Sequence, residues 1–121
     1  MIQEDYVSFE VAKLLKKKGF DWECIGYYVD YEPNDIKYSF LGETNSTWES
    51  RCCSAPTLQM AMKYLREVHK YLIVIGNKNE NYLYLIKDLK SNTDLGISNN
   101  EYIRYEEACE AAIKYCLENL I

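Results

Sequence analysis

The chain has little of what most enzymes rely on. It holds one histidine, His69, which sits beside Lys70 at the end of an expected helix, where a cation is favoured for stability alone. Imidazole catalysis is therefore not expected. Five glycines are scattered, with no G-x-G-x-x-G or Walker spacing, and this removes the common nucleotide-binding loops. The longest aliphatic run, Leu72-Ile73-Val74-Ile75, is far short of the roughly 20 residues a membrane helix needs. No membrane segment is expected. The opening MIQEDYVSFE carries acids where a secretory leader would be basic and then apolar, so the expected compartment is the cytoplasm.

Cysteine is present but without a pattern. Five residues (Cys24, Cys52, Cys53, Cys109, Cys116) are an odd number at irregular spacing, a poor disulfide framework. Cys52 and Cys53 lack the two-residue spacer of zinc knuckles, and Cys109 and Cys116 stand seven apart, as in a helical core stripe. Neither a metal nor a cofactor is expected. The carboxylate pair Glu106-Glu107 stands where acids favour a helix start. Positive charge is also scarce: the net charge is −5, and a split at residue 60 gives −4 (6 basic, 10 acidic) and −1 (8 basic, 9 acidic). Neither half resembles a basic nucleic-acid module, whose affinity comes from clustered Lys and Arg. The run Lys16-Lys17-Lys18 reads first as the positive end of a helix.

What remains describes an ordinary folded chain. In YVSFEVAKLLKKKGF, Ser8 can cap a helix whose apolar residues Val11, Leu14 and Leu15 repeat at helical spacing, and Gly19 supplies the left-handed stop. CIGYYVDY (24–31) and IKYSFL (36–41), separated by Glu32-Pro33-Asn34-Asp35, read as a hairpin. Residues 42–54 have turn composition and form the longest loop candidate. A second helix from Thr57 carries the stripe Leu58, Ala61, Leu65, Val68 and runs into a strand at Tyr71–Ile75, with only His69 and Lys70 between. A turn over 76–81, a strand over 82–89, a loop over 90–100, a short edge strand at 101–104 and a closing helix from Tyr105 complete the order.

The predicted fold is a single α+β domain over residues 1–121, in the order α-β-β-α-β-β-(β)-α, with helices packed on an antiparallel or mixed sheet. Phe9, Val11 and Ala12 align with Leu58, Met60 and Ala61 before the match slips, a hint of duplication.

Twelve tyrosines are the one unusual number. Several lie on expected strands, where a large rigid ring with a polar tip suits both packing under a helix and contact with a partner. The candidate binding residues are Trp22, Tyr28, Trp48, Tyr82 and Tyr84, together with the 42–54 loop, and no catalytic residue is expected. The leading expectation is a non-enzymatic module that binds a protein partner. The alternatives are a nucleotide-like small-molecule sink or sensor, with stacking aromatics and Lys or Arg at a pocket mouth, and an antitoxin-like or RNA-binding regulator. The last needs a basic patch drawn from Lys16 to Lys18, Arg51 and Arg66. Oligomeric state has no signature in the sequence.

The closing helix, with Ala108-x-x-Ala111-Ala112 and Leu117-x-x-Leu120, resembles that of double-stranded RNA-binding domains, and the preceding helix and strands follow a comparable order. That family opens the helix with lysines, whereas this chain has Glu106-Glu107, which would repel phosphate. The Glu-Glu-Ala opening is similar to that of HicB-like antitoxins. The segments VSFEVAKLLKKKGF, APTLQMAMKYLREVH and YEEACEAAIKYCLENLI resemble uncharacterised small proteins carried by phages, plasmids and integrated elements of gut anaerobic bacteria. That likeness implies a cytoplasmic accessory protein of a mobile element and transfers no catalytic residues.

Overall fold

The structure, a computed structural model, describes residues 5–121. The expectation drawn from the acidic opening rests in part on residues 1–4, which lie outside the described residues. The elements are α1 (Phe9–Lys17), β1 (Cys24–Val29), β2 (Lys37–Glu43), β3 (Cys52–Ser54), α2 (Leu58–Val68), β4 (Tyr71–Lys78), β5 (Asn81–Asp88), β6 (Thr93–Ile97) and α3 (Tyr105–Asn119). The fold is α+β, and its helices and hairpins follow the expected order. The strands form two antiparallel three-stranded sheets, β2-β1-β3 and β4-β5-β6, rather than one layer. The chain divides accordingly into two compact units, one ending at Thr57 and one spanning Leu58–Ile121.

In the first unit, α1 starts and stops as its residues dictate. Ser8 is the N-cap, its hydroxyl accepting from the Val11 amide, and Val11, Ala12 and Leu15 are buried. Gly19 takes φ +92°, a conformation that costs a residue with a side chain, and the Phe20 amide returns to the Leu15 carbonyl at 2.9 Å. β1 is the central strand. β3 lies inside the span expected to be a loop, because three residues poor in β-branched side chains give no strand signal of their own. Pairing with β1 creates this strand: Tyr27, Tyr28 and Val29 face Ser54, Cys53 and Cys52. Close approach is possible because Gly26 has no side chain, and a Cβ there would lie 2.8 Å from the Ala55 carbonyl oxygen.

The second unit runs α2-β4-β5-β6-α3, with both helices against its sheet. Ile86 is buried, and the Tyr71 hydroxyl donates to the Leu120 carbonyl at 2.9 Å. Cys109, Ala112, Ile113, Cys116 and Leu117 form the buried stripe of α3. The abrupt passage from α2 to β4 is made by Lys70 in the left-handed region, at φ +64°. β4 runs on past its expected end at Ile75 to Lys78 and β5 starts one residue early, at Asn81, leaving only Asn79 and Glu80 as the hairpin turn, at φ +52° and +70°. The expected edge strand at 101–104 is a lone bridge between Tyr82 and Tyr102. The outer strand comes instead from residues 93–97, within the expected loop. In the first sheet the first strand is central, in the second sheet the second, so the two units do not repeat one topology.

Candidate functional site

The first unit's sheet has two edges that differ in their treatment. Gly26 gives its carbonyl to the Ala55 amide at 2.8 Å, and Asp30 donates to the Arg51 carbonyl at 3.0 Å. Arg51, Cys53 and Ala55 therefore turn their amide groups toward β1, and Cys52 and Ser54 turn theirs outward. These outward groups have partners. The Lys16 ammonium donates to the Cys52 carbonyl at 2.7 Å and to the Ser50 carbonyl at 3.2 Å. The Cys52 amide reaches the Glu49 carbonyl at 2.9 Å, and the Ser54 amide reaches Asn45 Oδ1 at 2.9 Å. A lysine and an asparagine thus close the β3 edge against further pairing.

β2 is the opposite edge, and among the described residues no strand lies on its outer side. Gly26 faces Tyr38, and since Gly26 points its own amide group at β3, Tyr38 points its amide group away from the sheet. Beyond Tyr38 the ladder bulges: β2 passes through Ser39, Phe40, Leu41 and Gly42 while β1 passes only Ile25. A bulge re-aims the side chains it carries. Phe40 is 105% exposed, Leu41 79%, Tyr38 56% and Ile25 51%. These apolar residues were not among the sequence candidates; the available signal was that 36–41 ends a hairpin and precedes a long polar stretch, as an edge strand does.

The segment after β2 is ordered by its own hydrogen bonds. Thr44 and Thr47 form a turn, the Thr44 amide donating to Thr47 Oγ1 at 3.0 Å and the Thr47 hydroxyl to the Thr44 carbonyl at 2.9 Å. Asp21 accepts from the Ser46 amide at 2.8 Å and from its hydroxyl at 3.0 Å, while Asn45 Nδ2 donates to the Phe20 carbonyl at 2.7 Å. Trp48 donates from Nε1 to the buried Ser54 hydroxyl at 2.7 Å, and its ring lies 4.5 Å from that of Tyr27. This half-buried indole is held in place by the Ser54 hydroxyl and the Tyr27 ring.

The structure separates the five residues proposed from sequence. Trp22, Tyr28 and Trp48 belong to the first unit, Tyr82 and Tyr84 to the second. Trp22 is half-buried, 6.3 Å from the Phe20 ring, and Tyr82 is half-buried against Tyr105 at 5.9 Å. Two residues require correction. Tyr28 is 8% exposed, edge-on to Phe9 of α1, with its hydroxyl donating to the Val7 carbonyl at 2.7 Å. Tyr84 is 7% exposed, between Tyr102 and Tyr115, and burial raises its phenol pKa. Strand alternation turns both rings into packing, so neither offers contact surface.

An open cleft of about 570 Å³ lies between α1 and the 50–53 segment, lined by Phe9, Lys13, Lys16, Lys17, Asp30, Ser50, Cys52 and Cys53. Lys13 lies 5.2 Å over the Phe9 ring, which leaves that ring no free face on this side for a stacking ligand. The thiols are poor nucleophiles. Burial pushes Cys53 and Cys24 up to about 11 and Cys116 to about 12, and it raises Cys52 and Cys109 as well. At Cys52, Glu49 adds to burial and the Lys16 charge opposes it. His69 is held below its ordinary pKa by burial and then by Lys90, its Nε2 3.4 Å from the Tyr64 hydroxyl. Among the described residues no three His, Cys, Asp or Glu side chains are grouped to hold a metal ion. No helix among the described residues is long and apolar enough to cross a membrane.

No family model matches the chain, and neither a curated protein nor a solved structure matches it significantly.

Proposed function

We propose that the protein is a non-enzymatic accessory protein of a mobile element, acting in the cytoplasm, and that it binds a protein partner through the first unit. The contact surface is the outer side of β2, centred on the exposed Phe40 and Leu41. One observation supports this reading above the others: Phe40 and Leu41 stand in solvent on a strand whose outer edge is open, whereas Lys16 and Asn45 close the other edge of the same sheet. Exposed single apolar residues are common, but Phe40 and Leu41 are adjacent on one edge strand with no strand beyond it among the described residues, the kind of apolar site partners cover.

The competing readings have less to draw on. A nucleotide-like ligand needs an aromatic wall, and the lysine-lined cleft has Phe9 already covered by Lys13. An RNA-binding regulator would use the α-β-β-β-α order of the second unit, but α3 opens with Glu106 and Glu107. The test is a photo-crosslinking phenylalanine analogue in place of Phe40, expressed in the native host, with the same analogue in place of exposed Glu118 as control. A discrete adduct to one protein from position 40 and none from position 118 is expected. Absence of any adduct at position 40 would overturn the reading.

A further inference from the structure

We infer that the partner engages β2 by strand addition, and that the segment it supplies is extended, apolar at alternate positions and basic at both ends. This inference rests on the reading above. It adds the mode of contact and the chemistry of what is bound.

The mode follows from the backbone. An open edge presents unpaired N–H and C=O groups, and proteins that do not use such an edge close it with charge, proline, a covering element or a bulge that twists the whole edge away. This sheet closes β3 with Lys16 and Asn45 and leaves Tyr38 pointing its amide group outward on β2. The bulge lies beyond Tyr38 and confines the regular edge to Lys37 and Tyr38, where an added strand would pair. Past it the Ser39 hydroxyl donates to the Leu41 carbonyl at 2.9 Å, and Phe40 and Leu41, not charged residues, are left exposed beside the paired stretch.

Charge selects the occupant. At the start of β2 the Lys37 ammonium is shared between Glu32 at 3.0 Å and Asp35 at 3.3 Å, two carboxylates against one cation. At its end stands Glu43, and the Glu23 side chain lies directly over Gly42. Among the described residues neither Glu23 nor Glu43 is in an ion pair. Both ends of the edge are therefore acidic, with the apolar residues between them. A second copy of β2 is a poor occupant, because antiparallel self-pairing would bring Glu43 of one chain to the acidic end of the other. A segment with Lys or Arg on each side of an alternating apolar stretch satisfies all three features.

The experiment uses the full chain and three synthetic peptides: an alternating valine–threonine core with lysine pairs at both ends, the same core with glutamate pairs, and the lysine peptide N-methylated on every core amide. Binding is read by titration and by hydrogen exchange at the Tyr38 amide. The lysine peptide is expected to bind and to slow that exchange, with affinity at least about tenfold weaker for either control peptide. Phe40→Ala, at a fully exposed site, should weaken binding without moving the thermal midpoint. Failure of the lysine peptide to bind, or no slowing at Tyr38, would overturn strand addition. Equal binding of the N-methylated peptide would overturn it while leaving the surface itself in use. Equal binding of the glutamate peptide would overturn the basic flanks. Crosslinking from position 40 does not depend on mode, so the broader reading stands or falls separately.

Discussion

The Lys16 ammonium lies 2.7 Å from the carbonyl oxygen of Cys52, joining the last turn of α1 to the outermost strand of the first sheet. This contact gives the lysine run a structural task beyond the helix dipole. Replacing Lys16 with Met keeps the stem and removes the donor, leaving the Cys52 and Ser50 carbonyls to water. The expected loss is about 1–2 kcal/mol, measured by urea unfolding. An unchanged midpoint would show that water replaces the ammonium without cost.

Asn45 bridges the Phe20 carbonyl and the Ser54 amide at 2.7 and 2.9 Å. Asn45→Ala removes both bonds and should destabilise the chain by about 1–3 kcal/mol. Tryptophan emission should shift at the same time, because Trp48 is held by Ser54. Asn45→Asp keeps the acceptor for Ser54 but sets a carboxylate against the Phe20 carbonyl, so it should not restore stability.

Glu80 holds φ +70° at the second position of the β4–β5 turn, after Asn79. A two-residue turn with both residues left-handed favours Asn-Gly. Glu80→Gly should therefore stabilise the hairpin by about 0.5–1 kcal/mol, read as a raised thermal midpoint. A lowered midpoint would mean that glycine's extra freedom in the unfolded chain outweighs the relief of strain.

His69 is edge-on to Tyr64 and stacked at 6.3 Å on Tyr71, and its pKa is lowered by burial and then by Lys90. The folded chain thus takes up this proton at lower pH than the unfolded chain does. Stability should fall as pH drops through about 6.5, the unfolded value, and level off below the folded value. His69→Gln removes that slope. Denaturant midpoints of the two proteins across this range should diverge only on the acid side of neutrality.

How much the sequence revealed depends on whether a residue's conformation is set by its neighbours along the chain. Ser8, the Val11–Leu15 stripe and Gly19 define α1 through capping, period and a left-handed stop, all within a few residues. The α3 stripe from Cys109 to Leu117 is equally local. The β6 strand and the long β4–β5 hairpin were obscured because polar residues such as Asn77, Lys78 and Thr93 join a ladder as readily as a turn.

Other features exist only once distant segments meet. Cys52 to Ser54 is a strand because β1 is beside it, and its edge is closed because Lys16 and Asn45 reach it from elsewhere in the chain. Tyr28 and Trp48 look alike as aromatic candidates, yet pairing and alternation bury the first under α1 and set the second against Tyr27. The sequence alone determined the helices, the α+β class and the abundance of tyrosine, since propensity and periodicity act over short separations. Tertiary structure decided which rings face solvent and which sheet edge stays open, because exposure belongs to the packed layer and to no single segment of it.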